Sequence, residues 1–169
     1  MKIRQEQISD YPKIYDLVKN AFATAPQKDG DEQDYVNKLR ESKNYIPGLS
    51  LVAEENGELI GHIMLTSTQI KSEQKTFTEL LLSPLCVEFS HRNAGIGAKL
   101  VNESFCLAKA MGYSAVFVVG DPKYYSRFGF KCICEFGIIN GGNIPEQFVM
   151  GCELVSNALK NKKGTIQIV

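Results

Sequence analysis

The sequence predicts a mixed α/β fold, with a central sheet of about six to seven strands flanked by about four helices in one domain spanning residues 1–169. Three observations carry this. Asn56-Gly57 lies between two apolar runs, the strongest short-range signal for a β-hairpin. A strand ending at Val87 leads through a glycine-containing turn into a long amphipathic helix. Ala115-Val116-Phe117-Val118-Val119 then forms an apolar run of strand length, the pattern of a strand covered on both faces.

The elements follow in order. Lys2 to Gln7 is a short strand, after which Ser9 can cap a helix whose apolar face is Tyr11, Ile14, Tyr15, Val18 and Phe22. Pro12 falls in its first turn, where a missing N–H costs nothing. Ala23 to Gly30 is a loop. A second helix follows, with Asp31 as cap and Tyr35, Val36 and Leu39 as its buried stripe. After the hairpin, Phe77 to Val87 is a third antiparallel strand interrupted at Ser83-Pro84, and Pro in a strand implies an edge, a bulge or a parting of neighbours. The long helix reaches about Met111, with Ile96, Leu100, Leu107, Ala108 and Met111 facing inward and Gly112 ending it. Asp121 caps a short helix with Pro122 at its first position and Gly129 at its close. Phe130 to Phe136 is a further strand, Ile138 to Pro145 a glycine-rich loop, and Phe148–Val155 and Gly164–Val169 are late strands.

Composition sets bounds. With 44% hydrophobic residues among 169, the chain can build one substantial core without disulfide or metal support. Nineteen basic and nineteen acidic residues cancel, so no overall positive field marks a binder of nucleic acid or membrane surface. Glu6, Asp10 and Asp16 break up the start of the chain, which excludes a secretory apolar region there, and no run approaches the length of a membrane span. Five cysteines is an odd number without CxxC or zinc-finger spacing, so a reducing cytoplasm and no metal are expected. Cys132 and Cys134 would share one face of a strand. Small apolar core residues is the preferred reading over a soft metal site, because no His or third Cys joins them in sequence.

The most informative constellation is Leu85-Cys86-Val87 at a strand end, then Arg92-x-x-Gly95-x-Gly97, then the helix. Glycines there let backbone approach an anion, and the free N–H groups and dipole of the helix start point at it. Two glycines in such a turn are also common for conformational reasons alone. No Gly-Lys-Ser/Thr ending makes a Walker loop, and the dinucleotide fingerprint lacks its third glycine; coenzyme A is the remaining phosphate-bearing cofactor with this pattern.

Here the chain resembles the GNAT superfamily of N-acetyltransferases, whose diphosphate motif is Gln/Arg-x-x-Gly-x-Gly/Ala, matched by Arg92, Gly95 and Gly97. A second motif of that family, Tyr-x-x-x-Gly-Phe, is matched at family spacing by Tyr125, Gly129 and Phe130. Val116 to Tyr125, with its Gly-Asp-Pro-x-Tyr-Tyr segment, looks like a branch of small bacterial predicted acetyltransferases, and the likeness runs from residue 1 to about 136. Phe89 departs from the pattern, since many members place Pro there.

The resemblance implies a GNAT fold in which strands four and five splay apart, with acetyl-CoA as cosubstrate and direct transfer to a primary amine in a ternary complex. Leu85 and Val87 would bond the pantetheine arm through main-chain atoms, while Arg92, Asn93, Ala94, Gly95, Ile96, Gly97 and Ala98 form the diphosphate cradle. Tyr125 would contact the sulfur and protonate the leaving thiolate, and the Val87 amide would stabilise the oxyanion. The base is left open among Glu79, Glu88, His62 and water, with solvated bystander preferred for both carboxylates and a packed or surface role for His62. Acidic Asp29, Asp31, Glu32 and Asp34 could attract a cationic amine on a small molecule or a protein, although capping is the commoner use of such a cluster. The alternative is a non-catalytic acyl-CoA-binding module of the same fold. The assembly expected is a monomer or homodimer.

Overall fold

Asn56 and Gly57 both take the left-handed conformation, with φ of 52° and 82°, as a tight primed hairpin turn demands. In the computed structural model, which describes residues 1–26 and 29–168, this turn joins strand β2 (Tyr45–Glu55) to β3 (Glu58–Lys71), with Glu55 opposite Glu58. Strand β1 (Lys2–Gln5) pairs antiparallel with β2. The β2–β3 register shifts between Tyr45 and Ser50, across the stretch holding Pro47 and Gly48, as a residue without a ladder N–H requires. Gln27 and Lys28 of the predicted Ala23–Gly30 loop, and Val169 of the last predicted strand, lie outside the described residues.

The chain forms two compact units, one of Met1–Thr66 with Pro84–Leu107, the other of Ser67–Ser83 with the chain from Ala108 onward. In the first, helices α1 (Tyr11–Ala23) and α2 (Glu32–Glu41) place Ile14, Leu17, Val18 and Val36 in a core with Val52, Met64 and Cys86. Ser9 is not the cap of α1. A 3-10 turn over Ile8–Asp10 precedes the helix, and the Gln7 N–H donates to Asp10 Oδ2 at 2.7 Å. Asp31 stands at the start of α2 without a side-chain capping bond, and Tyr35 is 39% exposed rather than part of the buried stripe. Helix α3 (Ile96–Ala110) approaches β3 at Gly61, where a Cβ would stand 2.9 Å from Leu100 Cδ1 and 3.3 Å from Ile96 Cγ2. Glycine is needed there for space.

In the second unit, β5 (Ala115–Val119) runs parallel to the first part of β4 (Thr76–Val87), with Leu80, Leu81 and Leu82 opposite Val116, Phe117 and Val118. Pro84, without an N–H, follows two residues later. On the other edge of β5 lies antiparallel β8 (Val149–Glu153), itself paired with the short β6 (Lys131–Cys132). Strand β9 (Gly164–Ile166) pairs with the end of β3 and with β7 (Ile138–Asn140). Phe117, Ile133, Ile138, Val149, Leu159 and Ile166 form the core of this unit. Helix α4 (Pro122–Tyr125) completes four α-helices and nine strands among the described residues, against six or seven strands expected.

Several expectations need correction here. The strand predicted over Phe130 to Phe136 stops at Cys132 and continues as a 3-10 turn over Ile133–Phe136, while the predicted loop from Ile138 opens with β7. Cys132 and Cys134 therefore do not share a buried strand face. Cys132 is half-buried, Cys134 is exposed, and a disulfide joins them. Helix α3 ends before Met111, which is 51% exposed, and Gly112 turns the chain at φ 94°. Among the described residues, no helix is long and apolar enough to cross a membrane.

Candidate active site

The turn after β4 is built from left-handed residues at two places, Asn93 at φ 63° and Gly95 at φ 78°. Asn tolerates that conformation better than most side chains, and glycine adopts it freely. A Cβ at Gly95 would meet nothing within 4 Å, so the glycine serves the backbone angle rather than close packing. The Lys99 N–H donates to the Gly95 carbonyl at 3.1 Å, which starts the helical ladder of α3. The amides of Ile96, Gly97 and Ala98 consequently have no carbonyl further up the helix, and they stand at its positive end. Asn93, Ala94 and Gly95 are exposed. An exposed turn feeding such a helix start has the donors and the dipole that a diphosphate requires.

The Arg92 side chain bonds groups within the protein. Its Nη2 donates to the Ala21 carbonyl at 2.8 Å, its Nη1 to Thr24 Oγ1 at 3.2 Å and its Nε to the Val87 carbonyl at 3.3 Å. The guanidinium thus ties the C-terminal end of α1 to the end of β4, where a cation also complements the helix dipole. Phe89, 68% exposed, offers its ring 5.2 Å from the same guanidinium. Along β4, Leu85 and Val87 are half-buried, while Cys86 between them is buried and its thiol is pushed up to about 12 by that burial. The Glu88 N–H donates to the Ile60 carbonyl at 2.8 Å, holding the strand end to β3.

In the other unit, Asp121 caps α4 as expected, accepting from the Lys123 N–H at 2.9 Å, and Gly129 closes the segment at φ 92°. This places Tyr125 in a nest of rings, its centroid 5.0 Å from Tyr124 and 5.6 Å from Phe130, both edge-on. Gly120 lies under the Tyr125 ring so closely that a Cβ there would overlap the ring edge. Burial raises the Tyr125 phenol well above its ordinary value. It stays protonated across the neutral range.

The candidate bases separate sharply. Glu79 is not a solvated bystander. It is 2% exposed and accepts from the Ser114 N–H (3.1 Å), Ser114 Oγ (2.6 Å), the Ala115 N–H (3.0 Å) and Lys162 Nζ (2.6 Å), which fixes the entry to β5. His62 is fully buried. Its Nε2 lies 3.0 Å from Glu6 Oε2 and 3.3 Å from Ser50 Oγ, and its Nδ1 has no partner among the described residues. The carboxylate can only accept, so Nε2 carries the proton, and burial holds the ring neutral. Glu88 is the half-buried one. Its carboxylate accepts from Ser90 Oγ and pairs with His91 Nδ1 at 2.6 Å, and those two bonds hold it below the usual carboxylate range.

Sequence reasoning missed the cluster around Glu6, which also accepts from Arg40 Nε and Nη2 (2.9 Å each) and from the Tyr45 hydroxyl (2.8 Å). Its members come from the segment just after β1 and from α2, β2 and β3, and no spacing rule joins them. The acidic run is largely spent locally: Glu32 accepts from the Asp29 and Gly30 N–H groups at 2.7 and 3.1 Å, and Asp34 accepts from the Tyr15 hydroxyl at 3.1 Å. Among the described residues, one group could hold a metal ion, Cys132 Sγ, Cys134 Sγ and a Glu146 carboxylate oxygen, all within 4.8 Å of one another.

Comparison with known proteins bears on this arrangement. The family model "Acetyltransferase (GNAT) domain" matches residues 2–133. The uncharacterized N-acetyltransferase YjhQ of Escherichia coli K12 is 34% identical over 140 residues, covering 82% of this chain and 75% of that protein. Among solved structures, the GNAT family N-acetyltransferase YhbS of Escherichia coli, in complex with CoA, superposes with a TM-score of 0.85 at 27% identity, over 99% of this chain and 89% of that one. A GNAT family acetyltransferase from Brucella melitensis, in complex with acetyl-CoA, gives a TM-score of 0.80 at 26% identity, over 99% and 95%.

Proposed function

The chain belongs to the GNAT acetyltransferases, and from that membership we propose that it transfers the acetyl group of acetyl-CoA directly to a primary amine, within one acetyltransferase domain over residues 1–169. The observation that carries the reading is the turn at Asn93 and Gly95, whose left-handed backbone presents the open start of α3. The relatives YhbS and the Brucella protein, solved with CoA and acetyl-CoA, support the same cosubstrate here. The Gly-Asp-Pro-x-Tyr-Tyr segment supports a place in the small bacterial branch.

Each residue then has a task. The amides from Asn93 to Ala98 hold the diphosphate, and the main chain of Leu85 and Val87 bonds the pantetheine arm. Arg92 acts through the turn it braces, since its guanidinium is engaged by Ala21, Thr24 and Val87. The thioester supplies an activated acetyl group and no proton. The Val87 amide stabilises negative charge on the acetyl oxygen, and Tyr125 gives its phenolic proton to the departing sulfur. The elevated phenol suits a donor that must remain loaded at neutral pH. Glu88 is the carboxylate of the three candidate bases with solvent access, and it or a water takes the amine proton. Cytoplasmic residence follows from acetyl-CoA as cosubstrate.

A thermal-shift titration tests the cosubstrate assignment. Acetyl-CoA raises the melting temperature of the wild type, as selective binding to the folded state requires. Gly97→Glu abolishes that shift while keeping the unliganded melting temperature within a few degrees. No shift with any acyl-CoA overturns the assignment. A shift without thiol release across a panel of amines makes the chain an acyl-CoA-binding module instead.

A further inference from the structure

Cys132 ends β6 half-buried, Cys134 stands exposed beyond the fully buried Ile133, and a disulfide joins the two at a sequence separation of 2. Acetyl transfer makes no use of this pair, so its chemistry is independent of the proposed acetyltransferase activity. A bridge across so short a loop removes little freedom from the unfolded chain and makes a poor structural staple. The local fold has other supports, since Ile133 is in the core and Lys131 and Cys132 pair with Gly151 and Met150. A bond with an exposed sulfur and little structural duty is the kind that exchanges.

Two local features shape its chemistry. The Cys134 N–H donates to Cys132 Sγ at 3.4 Å, which steadies negative charge on that sulfur and makes Cys132 the better leaving group when Cys134 is attacked. The Glu146 carboxylate, within 4.8 Å of both sulfurs, penalises two thiolates side by side, and bond formation relieves that repulsion.

We propose that Cys132 and Cys134 form a thiol–disulfide exchange site whose partner is a small thiol or disulfide of the glutathione class. In the oxidising direction, the Cys134 thiolate attacks one sulfur of the small disulfide, whose S–S bond breaks and releases a thiolate. The Cys132 thiolate then attacks Cys134 Sγ, breaking the mixed disulfide and releasing the second small thiolate. Two electrons pass from the protein pair to the small disulfide. The two protons lost by the cysteines end on the two released thiols, and reduction is the reverse sequence.

The test uses the full chain carrying Cys106→Ser, because Cys106 is exposed and free whereas Cys86 and Cys152 are buried. Native protein is equilibrated in glutathione buffers from fully reduced to fully oxidised, quenched in acid, denatured, labelled at its thiols and weighed by mass spectrometry. The expected result is that two thiols disappear and return together, reversibly and within the range of these buffers, with little change in melting temperature. Adding Cys132→Ser leaves Cys134 alone, and a glutathione adduct on Cys134 replaces the internal bond. Thiols that stay free in the most oxidising buffer overturn the proposal. So does a bond that survives the most reducing buffer and whose forced reduction unfolds the protein. Stoichiometric uptake of Zn2+ that blocks oxidation and is lost in Glu146→Ala overturns it in favour of a metal site.

Discussion

Arg40 grips Glu6 with two parallel hydrogen bonds, Nε and Nη2 each 2.9 Å from a carboxylate oxygen, and the side chains are only 6% and 1% exposed. Such a pair has given up water on both sides. Removing one partner strands the other as a buried charge, a far larger effect than loss of a surface ion pair. Arg40→Ala is therefore expected to destabilise the protein by about 3–5 kcal/mol, measured from the shift of the urea midpoint. A loss under about 1 kcal/mol in Arg40→Ala would mean that the pair behaves as an exposed one.

The same cluster makes stability depend on pH. Burial raises the Glu6 carboxyl, but the bonds from Arg40 and His62 outweigh it and leave the group well below the usual carboxylate range. Burial lowers His62 below its ordinary value. In both cases the unfolded chain binds a proton that the folded chain refuses, so stability falls with falling pH. The His62 contribution begins to fade below about pH 6.5, where the unfolded imidazole charges, and that of Glu6 below about pH 4.3. Urea midpoints should decline from pH 7 to pH 5. His62→Gln, which keeps a donor toward Glu6 but cannot titrate, should flatten that decline, and an unchanged slope in the variant would remove His62 as its source.

The sequence made the local features legible and left the long-range ones hidden. Asn56-Gly57, Asp121-Pro122 and the turn into α3 are each decided by a few consecutive residues, so backbone preference alone locates them. Helix faces were readable until the helix ended: Met111 keeps the right period but lies past the last turn of α3, and solvent takes it. Strand β7 was hidden by the glycines after it, because its three residues are stabilised by parallel pairing with Gly164–Ile166 rather than by propensity. The Glu6 cluster joins residues 34 and 56 positions apart, and Glu79 finds Lys162 at a separation of 83. No periodicity encodes such meetings. The turn of the candidate site was legible for the opposite reason, since a helix start that holds an anion is written in adjacent residues.

Tyr125 owes its position to a residue that contributes no side chain. Gly120 has an ordinary φ, so its need for glycine lies in the ring above it: a Cβ would overlap Tyr125 Cε2, while Tyr124 and Phe130 close in from other directions. The ring cannot swing aside cheaply, because rotating a packed aromatic costs about as much as other overpacking, roughly 1–3 kcal/mol. Gly120→Ala should accordingly shift the phenol and lower kcat for amine acetylation, measured by release of free thiol at saturating acetyl-CoA. Tyr125→Phe keeps the ring and removes only the proton, so it should fold with near wild-type stability yet lose about 10²–10⁴-fold in kcat if the phenol is the acid. The comparison separates position from chemistry. Because burial raises the Tyr125 phenol, the wild-type kcat should hold through about pH 10, the ordinary tyrosine value, wherever the fold survives. An alkaline limb that appears near pH 8 and persists in Tyr125→Phe would assign the titrating group elsewhere.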